Sequence, residues 1–454
     1  MFGKEGMILL DTIRRLTRRN AVDRLLRLIN KTHPADLAWV FRHLTPEERN
    51  KVFARMLRTD RLGQFLSELD QSIMVEQVVE LSPDLMVDVL KNMPSDDAAD
   101  LLEALPEEMA NEIRELMASE DRREMDELLK YDPDSAGGLM SPDFLALDEE
   151  FTVGDAISTI QALSEEKDLS FYLYVTRGIE GLLSGVLSLR ELLLYPSDRK
   201  LKDIMNPRVI AVSADTDQEQ VAHIVSRYNI LAVPVIDSNN KLIGIITVDD
   251  VIDVIREEAT EDFLQMAGAG KDQEILLKST MDNVLIRAPW LFASWIGGIL
   301  AAMVITFFES ELQQVLALAA FIPIVMGMGG NIGTQSSTIV VRGIATGRVN
   351  MHELWRTVFK EAKVGLLLGC FYGLILGLVA HFFYSEPVQL GLVVGLSILF
   401  AMALAAAVGT IVPLLLKKLN IDAAIATGPF VTTSIDILGV LAYFYIAKTF
   451  LDLA

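Results

Sequence analysis

The chain has 454 residues, 51% of them hydrophobic, and a formal net charge of −22. Residues 1–283 hold 31 basic and 54 acidic side chains, whereas residues 284–454 hold nine and eight. An acidic front joined to a nearly neutral apolar back argues against nucleic acid and anionic lipid as docking partners and suits multivalent cations. The single Cys370 lies in an apolar run, so there is no disulfide framework within the chain. Met1 to Asn20 is charged and amphipathic, without the apolar core and cleavage site of a signal peptide.

Residues 1–135 carry turn signals at short spacing: Thr45-Pro46-Glu47-Glu48, Ser82-Pro83-Asp84, Pro94-Ser95-Asp96-Asp97 and Pro106-Glu107-Glu108. Each sets Pro near the start of a helix, where its missing N–H costs nothing, with acids toward the positive end of the dipole. Leu85, Val89 and Leu90, then Leu101, Leu102 and Leu105, recur at helical spacing. The expectation is an acidic all-α superhelical domain of short stacked helices, a small solenoid-like array. His33 and His43 have no partner at ligand spacing. Asp96 and Asp100, four apart beside Asp97, share a helical face. That face is either solvated or one wall of a cation site that a second acidic wall would complete.

Residues 136–255 contain a tandem repeat. Leu139-Met140-Ser141-Pro142 returns as Ile204-Met205-Asn206-Pro207, and the run opening at Gly185 returns at Gly244. Each copy reads strand, helix (Val153 to Leu163; Gln218 to Tyr228), strand, strand, second helix. Val209 to Val212, Ala232 to Ile236 and Leu242 to Thr247 are short β-branched strand runs. A Gly-Val/Ile-apolar-Ser/Thr run before a helix opening with Arg or Asp resembles the closing part of a cystathionine-β-synthase (CBS) domain. Two copies resemble the usual pair. The resemblance implies an α/β regulatory module, often dimeric, that often binds adenine nucleotides, with Tyr172, Arg190 and Asp250 either as the positions to meet one or as purely structural residues. No Gly-rich phosphate loop accompanies them.

Residues 256–283 form a connector. Asp249, Asp250 and Asp253 lead into it, and Glu258, Glu261 and Asp262 share one helical face, where they repel each other. The stripe is either a solvated linker face or one that cations or basic groups bridge to something else.

Residues 284–454 hold apolar runs at Ala288–Phe308, Leu312–Val341, Val364–Tyr384, Leu390–Leu416 and Thr427–Phe450, each long enough to cross ~30 Å of hydrocarbon. Five spans put the two chain ends on opposite sides. Arg287 precedes the first, Arg342, Arg348, Arg356, Lys360 and Lys363 lie between the second and third, and Lys417 and Lys418 between the fourth and fifth. The other connections hold Glu309, Glu311 and Glu386. Positive charge marks the cytoplasmic side, so the N-terminal domains are expected inside and Ala454 outside.

Span three carries Gly365, Gly369, Gly373 and Gly377, a line of small residues that lets another helix approach closely, within or between subunits. Span two packs Gly and polar residues between Pro323 and Ser337. Its Asn331, Thr334, Gln335 and Ser336 are expected to face a polar path shared with Asp436 of span five. A carboxylate at that depth costs about 2.5–3.5 kcal/mol even on the mild insertion scale. It is tolerable facing a protein interior, a water path or a cation. Just before it, Gly428-Pro429 is expected to break the helical ladder, since Pro has no N–H. Non-helical backbone at membrane depth is allowed where it lines a cavity. An acid beside freed carbonyls is hard oxygen chemistry suited to Mg²⁺ or Ca²⁺. The other reading is a Pro kink with Asp436 bonded to a neighbouring Thr or Ser.

Over essentially its whole length the chain resembles the MgtE-type family of magnesium channels or transporters. The matching runs are Gly-Met-Gly-Gly-Asn-Ile-Gly-Thr-Gln-Ser-Ser (327–337), Gly-Pro-Phe-Val-Thr-Thr (428–433) with Asp436, and Ala136 to Pro142. Asp215 to Glu219, Thr247 to Asp250 and Ala259 to Asp262 match too. The resemblance implies a homodimer in the cell (inner) membrane with a Mg²⁺-conducting pore. In it Asp436 contacts hydrated Mg²⁺, and Gly428 with its neighbouring carbonyls lines the same path. Carried over, Asp96, Asp100, Gly138, Glu219, Asp250, Asp253, Glu258, Glu261, Asp262 and Asp422 would be regulatory Mg²⁺ ligands. Gln64 and Asn229 stand where acids occur in that pattern, which leaves some of those sites weaker or absent. Cytoplasmic Mg²⁺ would close the pore by bridging acidic surfaces. No hydrolase or transferase constellation is visible, so no enzyme is expected. The alternative is a nucleotide-regulated, CBS-containing anion channel or solute carrier, which would want positive charge inside the spans.

Overall fold

The computed structural model describes residues 4–59, 61–163, 171–178, 180–349, 353–383, 388–426 and 428–451. Met1, Tyr384, Glu386, Thr427 and Ala454 lie outside the described residues. The chain divides into two compact units, Met1–Arg256 and Glu257–Ala454.

The first unit opens with short helices from α1 (Lys4–Arg18) to α10 (Ser119–Leu128). Pro46 and Pro83 begin helices, while Pro94 and Pro106 stand one residue before α8 (Ser95–Ala104) and α9 (Glu107–Leu116). Thr45 and Glu48 close a reciprocal capping box at Pro46–Met56. Both histidines serve the backbone: His33 Nδ1 accepts from the Ala35 N–H at 3.3 Å, and His43 Nδ1 lies 2.8 Å from the Trp39 carbonyl. Leu90, Leu101, Leu102 and Leu105 are buried in one core that continues through Val221, Val233 and Ile246 of the second repeat. Each such fully buried apolar side chain contributes roughly 1.5–3 kcal/mol.

The repeats fold alike. The first has β1 (Ala146–Asp148), α11 (Val153–Leu163), β2 (Tyr172–Arg177), β3 (Leu182–Ser188) and α12 (Leu189–Leu192). After α13 (Leu201–Ile204), the second has β4 (Val212–Ser213), α14 (Gln218–Tyr228), β5 (Ala232–Ile236), β6 (Leu242–Thr247) and α15 (Val248–Met266). In each three-stranded sheet the first pair is parallel and the second antiparallel. The strand expected at 209–212 shrinks to Val212–Ser213, because only Val235 and Ile236 pair with it. Helix α15 runs unbroken across the boundary expected at 255/256.

The second unit holds α16 (Thr280–Phe307), the short α17 (Glu309–Gln314), α18 (Ala317–Ala345), α19 (Leu354–Phe383), α20 (Val388–Lys418) and α21 (Pro429–Phe450). Among the described residues, five helices are long and apolar enough to cross a membrane. The glycine line of α19 is spent inside the chain. A Cβ at Gly369 would lie 2.8 Å from Leu399 Cα, and one at Gly377 would lie 2.6 Å from the Gly391 carbonyl oxygen, both in α20.

Candidate functional site

Pro429 takes the first position of α21, with Gly428 as its N-cap, so the proline starts a helix rather than kinking one. A helix start leaves N–H groups unpaired, not carbonyls. The Gly428 and Pro429 carbonyls here accept the hydroxyls of Thr432 (3.2 Å) and Thr433 (2.6 Å). Those threonines are therefore committed to the backbone and not to the acid two turns into the helix. Asp436 is half-buried, and among the described residues no hydrogen bond or ion pair reaches it. Lys448, the basic residue of the same helix, is held by Glu311 at 3.0 Å.

Glycines decide how the residue before Asp436 packs. That residue, Ile435, fits against Gly329 and Gly333 of α18: a Cβ at Gly329 would come 3.1 Å from Ile435 Cγ2, and one at Gly333 would collide with its Cδ1. Gly333 also lies against Gly409 of α20. Three spans thus meet at this level because side chains are missing there. Asn331 is two residues from each of the packing glycines, about 160° around the helix. It is exposed, as is Gln335, and the space around Gly327 and Gly330 is open. Asn331 and Gln335 are therefore left exposed by their own chain, and among the described residues no hydrogen bond joins them to Asp436. Ser336, expected on that polar face, is buried and donates to Glu361 of α19 at 3.1 Å. Glu361 went unremarked in the sequence, although it is a lone acid close to the third apolar run.

In the second unit the connector end lies beside the start of α21. Gly268 (φ +68°) and Gly270 (φ +95°) reverse the chain, and a Cβ at Gly268 would be 3.6 Å from Pro429 Cδ. Glu261 accepts from Gln265 Nε2 at 2.6 Å and from Lys271 Nζ at 2.7 Å. Glu258 and Asp262 are half-buried. Asp422 is exposed, and its Oδ1 accepts the Ala424 N–H at 2.9 Å.

In the first unit Asp250 lies close enough to Asp96 and Asp97 for their charges to interact. Asp96 of α8 has one oxygen buried without a hydrogen-bond partner. Burial, then the charges of Asp97 and Asp250, push its carboxyl up to about 8. Asp97 is pushed up to about 6 by burial and Asp250, against a hydrogen bond from Ser67. Burial also raises Asp250, although the Thr247 N–H (3.2 Å) and hydroxyl (2.5 Å) both bond it. Asp100 is exposed, and Asp253 pairs with Arg256 at 2.9 Å. Glu219 is half-buried in the first turn of α14. At Gly138 a Cβ would lie 2.5 Å from the Asp132 carbonyl oxygen, so only glycine fits. Asn229 has φ +51° and ends α14 in the left-handed conformation, a reason for Asn there. Gln64 is exposed, Tyr172 opens β2, and Arg190 is exposed in α12. Among the described residues no three His, Cys, Asp or Glu side chains converge closely enough to hold a metal ion.

The MgtE family model, described as divalent cation transporter, matches residues 322–446. The MgtE intracellular N domain matches 32–134, and the CBS domain 201–257. The magnesium transporter MgtE of Bacillus subtilis is 34% identical over 424 residues, 93% of each chain. That of Thermus thermophilus is 37% identical over 327 residues, 71% of each chain. A crystal structure of the cytosolic domain of the Mg²⁺ channel MgtE in complex with ATP is 31% identical with a TM-score of 0.51, covering 54% of this chain and 99% of that one.

Proposed function

The chain belongs to the MgtE family of magnesium transporters and is a multi-pass membrane protein, and from that premise we propose that Mg²⁺ crosses through a pore formed between two copies. The observation that carries this reading is the pairing of a half-buried, unpartnered Asp436 with an α18 face whose Asn331 and Gln335 remain uncovered by the same chain. A second copy would cover that face and enclose a polar path. Mg²⁺ gives up water reluctantly, so one acid per subunit suits contact through its hydration shell. Weak contact also lets the ion leave, which conduction requires.

The gate follows from charge. Residues 1–135 and 136–255 form the sensor, 256–283 the connector and 284–454 the pore. When Mg²⁺ is scarce, Asp96, Asp97 and Asp250 repel, and Asp100, Asp253, Gly138 and Glu219 are further ligand positions. When cytoplasmic Mg²⁺ rises, ions bridge these acids. In the second unit Glu258, Glu261, Asp262 and Asp422 take up Mg²⁺, and the connector settles on the start of α21. Mg²⁺ closes the pore because it binds the closed state better. The N-terminal domains lie in the cytoplasm and the C-terminus outside. Adenine nucleotide binds the CBS pair at Tyr172 and Arg190, a reading supported by the ATP complex of the related cytosolic domain.

The test is Mg²⁺ flux into liposomes. Asp436→Ala is expected to cut flux about tenfold or more, equivalent to ~1.4 kcal/mol of lost ion stabilisation. Undiminished flux in the folded variant removes Asp436 from the path.

A further inference from the structure

We propose that Tyr443, Lys448 and Glu311 form a distal anchor that sets the rotation and depth of Asp436 along the ion path, an inference that rests on the pore reading above. At the end of α21 away from Gly428, three contacts converge from three other elements. The Tyr443 hydroxyl donates to the Leu318 carbonyl of α18 at 2.8 Å, with both residues buried. Phe444 stacks on Phe308, just after α16, with ring centroids 4.8 Å apart and planes 8° from parallel. Lys448 Nζ meets the buried Glu311 of α17 at 3.0 Å, and the Ser310 hydroxyl donates to the same carboxylate at 2.6 Å.

Helix geometry links this end to Asp436. Tyr443 follows it by seven residues, which is about 20° short of two full turns and ~10.5 Å farther along the axis. The two side chains therefore rise from one line on α21, and any rotation that moves one moves the other. Apolar packing alone holds such a rotation loosely, because it has no preferred direction. A hydrogen bond and a charge-assisted pair do have one. Removing Lys448 would leave a buried carboxylate short of its counter-charge, so the pair resists sliding of the helix. At the other end, Pro429 lies beside Gly268, where an added Cβ would sit 3.6 Å from the proline Cδ. These three are positioning residues: none touches the ion.

The experiment uses the full chain in liposomes, with flux and the Mg²⁺-to-Na⁺ permeability ratio normalised to inserted protein. Tyr443→Phe deletes one hydroxyl, Lys448→Met deletes the charge, and Lys448→Arg keeps it. Tyr443→Phe and Lys448→Met are each expected to lower the ratio about threefold or more, since the pull of a displaced charge falls with distance. Lys448→Arg is expected to behave like the parent. The proposal is overturned if Tyr443→Phe and Lys448→Met both keep the parent ratio, or if Lys448→Arg loses it as fully as Lys448→Met. Should Lys448→Met fail to insert, Tyr443→Phe alone decides. Asp436→Ala is run beside them. Full flux there sinks the pore reading, whereas lost flux there with parent-like anchor variants sinks only the anchor.

Discussion

Met140 lies against Gly244, and in the same way Met205 lies against Gly185: the methionine that heads each CBS repeat packs on a glycine inside the last strand of the other. The backbone repeats the exchange. The Ser141 N–H donates to Ile245 at 2.8 Å, and the Asn206 N–H donates to Val186 at 3.0 Å. The two recurring motifs are thus one crosswise contact made twice, and each repeat is finished by its neighbour. At Gly244 a Cβ would meet Met140 Sδ at 2.7 Å and Cβ at 3.0 Å, so the methionine cannot simply swing aside. Gly244→Ala is expected to destabilise the folded chain by about 1–3 kcal/mol, the usual cost of overpacking. Chemical denaturation of the purified protein measures it.

The acids facing each other in the first unit make stability depend on pH. Asp96 and Asp97 have folded values of about 8 and 6, above the ~3.9 of an unfolded Asp. The folded state therefore holds more protons between pH 4 and 8, and stability falls as pH rises through that window. Asp96→Asn is expected to flatten this slope and to raise stability at pH 8 by about 1–2 kcal/mol, after allowing for partial solvent screening. Thermal melts without divalent ions at pH 5 and pH 8 provide the check.

Mg²⁺ should reverse that cost where the carboxyls are ionised. Saturating Mg²⁺ is expected to raise the melting temperature more at pH 8 than at pH 5, since metal ligands must be deprotonated. At about 100 times its Kd a ligand adds ~2.7 kcal/mol. An equal rise at both pH values would count against metal binding at Asp96, Asp97 and Asp250.

Lys271 occupies Glu261, one of the proposed closing ligands, at 2.7 Å. An ammonium on that oxygen competes with Mg²⁺. Lys271→Met is therefore expected to lower the Mg²⁺ concentration that halves the flux, by about threefold. A shift to higher Mg²⁺ would mean that the lysine itself holds the gate shut.

The glycine line of α19 should be intolerant of size. A Cβ at Gly369 would lie 2.9 Å from the Leu399 carbonyl oxygen, and backbone has nowhere to go. Gly369→Leu is expected to cost ~3 kcal/mol or more and to prevent accumulation in the membrane. Gly298→Ala, in open space, should lie within about 0.5 kcal/mol of the parent. Yield of inserted protein and detergent melts separate the two.

The sequence by itself determined which stretches form helices and spans, and the strands Ala232–Ile236 and Leu242–Thr247 but not the extent of the strand before them, because periodicity, Pro–acid turns and ~20-residue apolar runs are local signals whereas strand length depends on its partner. It also singled out Asp436, since a carboxylate in an apolar run is conspicuous without neighbours. Only the tertiary structure decided direction. It turned Ser336 inward onto Glu361, spent the glycines of α19 on α20, made Pro429 a helix start, and set Asp250 opposite Asp96. Those outcomes depend on which helix lies alongside which, and one chain read in order carries no distance between residues a hundred positions apart. The physical reason is the same each time: a glycine, a hydroxyl or a buried acid has no fixed meaning until a second backbone arrives to fill, bond or neutralise it.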